Sequence, residues 1–143
     1  MTEKMVLERR CKLLFLDFNG VLSYRPFWAS LQSTDPLTFS SIQELLFQKN
    51  LPLLHQWMRG QVSAEDICSY LAKNLEQDYD YLLQTLIQDC KSIDLFKPAR
   101  SLLAELKKEN YLVLVTDNMD CFSRWIVPAY PEEFALFDVI FDS

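Results

Sequence analysis

The chain has 143 residues, is 50% hydrophobic and sets 14 Lys and Arg against 20 Asp and Glu, for a net charge of -6. That length suits one compact unit with a core of its own, and the acidic balance argues against nucleic acid as a partner, because phosphate backbones reward clustered Lys and Arg. No run approaches the ~20 apolar residues that cross a bilayer, and Met1-Thr2-Glu3-Lys4 lacks the apolar core of a secretory signal, so no membrane partner and a cytoplasmic location are expected.

Lys4, Arg9, Arg10 and Lys12 form the one basic cluster, read as a solvated lead-in to the first strand. Lys12-Leu13-Leu14-Phe15-Leu16-Asp17 then drives an apolar run into a carboxylate. Four apolar residues without alternation suit a strand buried on both faces. Asn19-Gly20 directly after Asp17 allows a sharp turn. Open α/β sheets place their chemistry at such strand ends.

From residue 24 to 95 the signals are helical. Ser41-Ile42-Gln43-Glu44 and Ser63-Ala64-Glu65-Asp66 fit capping-box starts, and Gly60 separates two helical segments. Ile67, Tyr70, Leu71 and Leu75 make one apolar stripe; Tyr79, Leu82, Leu83, Leu86 and Ile87 make another. Both stripes read as core.

A further helix is expected from Pro98 to Asn110, with Ala99, Leu102, Leu103 and Leu106 facing inward. It leads to Tyr111-Leu112-Val113-Leu114-Val115-Thr116-Asp117-Asn118, a second strand ending in small polar groups. Strand, helix and strand in that order predict an α/β architecture. Phe137-Asp138-Val139-Ile140-Phe141-Asp142-Ser143 reads as a third strand.

Other chemistries find little support. Cys11, Cys68, Cys90 and Cys121 are scattered without a Cys-x-x-Cys pair, which argues for reduced, partly buried thiols over zinc or disulfides. His55 is the only histidine, with no serine elbow near it, and reads as structural or substrate-facing. Two glycines are too few for a phosphate-binding glycine loop.

Asp17-Phe18-Asn19-Gly20-Val21-Leu22 resembles motif I of the haloacid dehalogenase-like (HAD) superfamily, in which an Asp, two residues, a Gly and two apolar residues follow a buried strand. Thr116-Asp117 after the second strand resembles motif II, and Gly60-Gln61-Val62-Ser63-Ala64-Glu65-Asp66 is similar to a segment common in HAD helical caps. The resemblance implies an incomplete doubly wound (Rossmann-like) parallel sheet core from 1–23 and 96–143, with a helical cap inserted at 24–95. It implies hydrolysis of a small phosphorylated substrate through an aspartyl-phosphate on Asp17. Mg²⁺ would be held by Asp17 and the carbonyl of Asn19. Phosphoryl oxygens would be held by the Thr116 hydroxyl and the backbone N–H groups of Phe18, Gly20 and Asp117. The substrate is not identified, because any of Trp28, His55, Trp57 or Arg59 in the cap could select it.

Two departures bear on activity. HAD phosphatases carry a second Asp, the general acid and base, where this chain has Asn19, and an amide cannot move that proton. The sequence also stops at Ser143, before the Lys of motif III and the acidic pair of motif IV. The resemblance thus implies a truncated fragment of a longer protein, the reading favoured here, or an edge covered by another chain, or a departure from the family's fold, with an incomplete Mg²⁺ site and weak or no turnover. It also implies an uncovered edge along Leu13–Leu16, open to self-association. The alternatives are a noncatalytic HAD-like binding or interaction module, and a metal-independent dehalogenase-like enzyme, a branch that keeps the first Asp and lacks the second.

Overall fold

A computed structural model describes residues 12–142; Lys4, Arg9, Arg10 and Cys11, and Ser143 at the end of the expected third strand, lie outside the described residues. In chain order the elements are β1 (Lys12–Leu16), α1 (Leu31–Thr34), α2 (Pro36–Ile42) continuing as a π-helical segment Gln43–Gln48, α3 (Leu51–Met58), α4 (Ala64–Leu75), α5 (Tyr79–Lys91), α6 (Ala99–Lys107), β2 (Asn110–Thr116), a π-helical segment Phe122–Ile126 continuing as α7 (Val127–Ala129), α8 (Pro131–Phe134) and β3 (Val139–Asp142). They form two units. Among the described residues a sheet unit takes Lys12–Tyr24, Asp94–Thr116 and Tyr130–Asp142, and a helical unit takes Arg25–Ile93 and Asp117–Ala129.

The fold is α/β, with a parallel sheet in the order β1-β2-β3. Lys12 pairs with Asn110 through to Leu16 with Leu114, and Val113 pairs with Val139 through to Thr116 with Asp142. The three expected strands are therefore adjacent and parallel, with the first at one end of the order. Central β2 buries Leu112, Val113 and Leu114, as a strand covered on both faces does. β1 departs from the expectation of two buried faces: Leu13 and Phe15 are 60% and 62% exposed, while Leu14 and Leu16 are half-buried. An apolar run cannot by itself say whether a second layer covers it.

Two local devices fix the sheet unit. α6 buries Ala99 and Leu103, but Leu102, expected on the same stripe, is half exposed, because the buried face is narrower than the apolar one. Asp138 lies just before β3, where its N–H donates to the Leu112 carbonyl and its Oδ2 accepts the Leu112 N–H, both at 2.8 Å. Lys107 Nζ reaches Asp138 Oδ1 at 3.2 Å and the Leu136 carbonyl at 3.0 Å, holding the start of β3 beside β2.

In the helical unit, the capping box at Ser63 is formed: Ser63 Oγ accepts the Asp66 N–H and Asp66 Oδ2 accepts the Ser63 N–H. Gly60, at φ +71°, turns the chain between α3 and α4. The start expected at Ser41 is instead mid-helix. The Asp35 side chain accepts the Thr38 N–H and Pro36 stands at the first helical position, so α2 begins five residues or so earlier. Ala64, Ile67, Cys68 and Leu71 of α4 and Leu82, Leu86 and Cys90 of α5 are buried. Trp28 and Trp57 are also fully buried. Trp28 adopts φ +57°, unusual for an aromatic residue, and its Nε1 donates to the Leu82 carbonyl at 2.9 Å. Cys68, Cys90 and Cys121 are buried free thiols, and burial pushes Cys68 up to about 12, away from the reactive thiolate. Among the described residues no helix is long and apolar enough to cross a membrane.

Arg124 ties this unit together across the start of α4. Its guanidinium donates to both Glu65 oxygens at 2.6 and 2.8 Å and to Asp120 Oδ2 at 2.9 Å. The hydrogen bond from Arg124 holds the Glu65 carboxyl down at about 2. A lowered carboxylate value stabilises the fold above its unfolded value, near ~4.3, and that contribution disappears as the pH falls toward about 2. The side chains are 39% and 38% exposed, so solvent screening keeps the effect modest. Thermal unfolding is expected to give Arg124→Ala a lower Tm than wild type at neutral pH, with the gap narrowing on acidification through that window. A gap independent of pH would contradict the ion-pair account.

Candidate functional site

The carboxyl ends of the three parallel strands carry three polar residues. Asp17 directly follows β1; continuing the register from Leu16 and Leu114 sets it level with Val115, one residue before Thr116. Thr116 is buried and pairs in register with Asp142. The fold thus brings Asp17 and Thr116 to the same ends of neighbouring strands. Asp142 was not anticipated there, although Val139-Ile140-Phe141-Asp142 has the same signature as the first strand, an apolar run stopped by a carboxylate.

The turn after Asp17 is tightly built. The Phe18 carbonyl accepts the N–H groups of Val21, Leu22 and Ser23 at 3.3, 2.9 and 3.2 Å, and Gly20 donates to the Ser23 carbonyl at 2.7 Å. Gly20 sits at φ +75° with open space where a Cβ would go, so backbone conformation favours glycine there. Phe18, fully buried, anchors the turn against Phe134 at 6.1 Å between ring centroids. Phe96 N–H holds its far end by donating to the Leu22 carbonyl at 2.7 Å.

This geometry departs from the expected anion cradle. Asp17 is exposed, and its Oδ1 accepts the Phe18 N–H at 2.7 Å. The Gly20 N–H is taken by Ser23, so two of the expected phosphoryl donors are satisfied inside the turn. Asn19 is exposed.

Asp117, the first residue after β2, is exposed and belongs to the helical unit. With His55, Met58 and Arg59 it lines an open cleft of ≈ 220 Å³. Trp28 and Trp57, two of the four candidates for substrate selection, are core residues. His55 and Arg59 are exposed. Local spacing also gave no sign of Asp120, whose carboxylate accepts Trp57 Nε1 at 2.7 Å, the Ala64 N–H at 3.0 Å and Arg124.

For magnesium the donor set is thin. Asp17 and Asn19 lie two positions apart in one turn, and among the described residues no group of three or more His, Cys, Asp or Glu side chains is placed to hold a metal. Mg²⁺ favours near-octahedral oxygen coordination, which these two residues do not build by themselves.

No family model matches the sequence, and no curated protein matches it. Among solved structures the chain is similar to YfnB of Bacillus subtilis, provisionally named a HAD-hydrolase and crystallised with magnesium, at 16% identity and a TM-score of 0.49. The likeness covers 92% of this chain, which spans 65% of that one.

Proposed function

We propose that this chain is a HAD-like hydrolase acting on small phosphate monoesters through Asp17. The supporting observation is the pairing of β1 with β2, which sets an exposed carboxylate and a buried hydroxyl at the ends of adjacent parallel strands, where open α/β sheets take ligands. An Asp17 oxygen attacks phosphorus, the bond to the leaving alcohol breaks, and the departing alkoxide takes its proton from water. Water then attacks the phosphorus of the aspartyl-phosphate, releases its proton to solvent and yields inorganic phosphate with the carboxylate restored. The Thr116 hydroxyl donates to a non-bridging oxygen throughout.

Asn19 makes the first step slow, because a positioned acid contributes typically about 10²- to 10⁴-fold. That deficit depends on the leaving group. Nitrophenolate departs with little help, whereas an alkoxide needs its proton. Asn19→Asp is therefore expected to raise hydrolysis of an alkyl phosphate by about 10²-fold more than hydrolysis of p-nitrophenyl phosphate. Equal gains on the two esters would argue against a proton-transfer role at this position.

The internally bonded turn favours a second reading, a noncatalytic binding module. In that case wild type and Asp17→Asn have the same background rate on both esters and differ only in phosphate affinity.

A further inference from the structure

We infer that the cleft lined by His55, Met58, Arg59 and Asp117, all residues of the helical unit, is a binding site for the oxyanionic group of a small molecule. His55 in the last turn of α3 and Arg59, its cap residue, line the same cleft. α3 ends at Met58, Arg59 is the cap residue that follows it, and the chain turns at Gly60. Among the described residues neither side chain has a hydrogen-bond or ion-pair partner, in contrast to Arg124, which is held by two carboxylates. A guanidinium presents a planar fork of donors that matches carboxylate or phosphate oxygens, and an imidazole beside it adds another donor. Half-buried Met58 supplies an apolar wall for the rest of the ligand.

Size narrows the class. A cleft of ≈ 220 Å³ suits a small molecule rather than a polymer. The Asp117 carboxylate opposes an anion, so affinity at this site is set by the balance between Arg59 and Asp117.

Because His55 is the only histidine, its ring protons give a single NMR reporter inside the cleft. The titrants are inorganic phosphate, acetate and uncharged glycerol, each at fixed pH and ionic strength. The His55 signal is expected to shift saturably with an oxyanion and not with glycerol; the stronger of phosphate and acetate identifies the group. Arg59→Ala should weaken binding about tenfold or more, the loss of one charge-assisted contact. Asp117→Asn should tighten it, and Thr116→Val should leave it unchanged. Both Arg59 and Asp117 are exposed, so their variants are expected to fold. No saturable shift, an unchanged midpoint in Arg59→Ala, or a midpoint that follows Thr116→Val instead would overturn the inference. The last outcome would assign the anion to the strand ends and leave the proposed hydrolase chemistry standing.

Discussion

Trp57→Ala is expected to destabilise the helical unit by about 3–5 kcal/mol, the range for removing a large buried aromatic side chain. Trp57 is fully buried, with its ring 5.5 Å from Phe27 and 6.1 Å from Trp28 between centroids. Alanine leaves a cavity beside both rings. It also removes one donor from Asp120, whose carboxylate joins Trp57, the first turn of α4 and Arg124. Trp57→Phe separates the two effects. It keeps most of the ring volume and loses the N–H, so it should cost about 1.5–3 kcal/mol, as for a hydrogen bond to a charged group. Urea denaturation followed by circular dichroism measures both. Equal costs for the two variants would mean that the hydrogen bond, and not packing, carries the role of Trp57.

Asp17→Asn is expected to abolish protein-dependent phosphate ester hydrolysis while leaving stability within about 0.5 kcal/mol of wild type. The carboxylate is exposed and accepts the N–H of the next residue, a bond that an Asn side-chain oxygen can keep. The amide is, however, a poor nucleophile toward phosphorus. Asp17→Glu retains the charge but displaces it by a methylene, and a misplacement of that size can cost about 10²-fold. Chromogenic ester turnover, measured beside thermal unfolding, tests the pair. Activity that survives in Asp17→Asn would move the nucleophile elsewhere.

The sequence made the strands legible because each is an apolar run stopped by a polar residue, and Asp17 and Thr116 mark two of those stops. The Ser63 capping box was equally readable, since its donors and acceptors lie within four residues. Other features depend on partners that local spacing does not reveal. Asp35-Pro36 and Ser41 offered competing helix starts, and the longer helix absorbed the second. The exposure of Leu13 and Phe15 depends on the layers around β1, not on the run itself. Trp28 and Trp57 look like ligand-facing aromatics until the packing of the helical unit encloses them. At the site, whether the Phe18 N–H faces a ligand or the Asp17 carboxylate is a matter of one side-chain rotamer, which no motif encodes.

Covalent trapping tests the central claim most directly. The chain is incubated with a phosphate monoester, quenched and treated with borohydride, which reduces an aspartyl-phosphate to homoserine. Peptide mass spectrometry is expected to find homoserine at position 17 in wild type and none in Asp17→Asn. Protein-dependent release of phosphate with Asp17 unmodified would contradict nucleophilic attack by this residue.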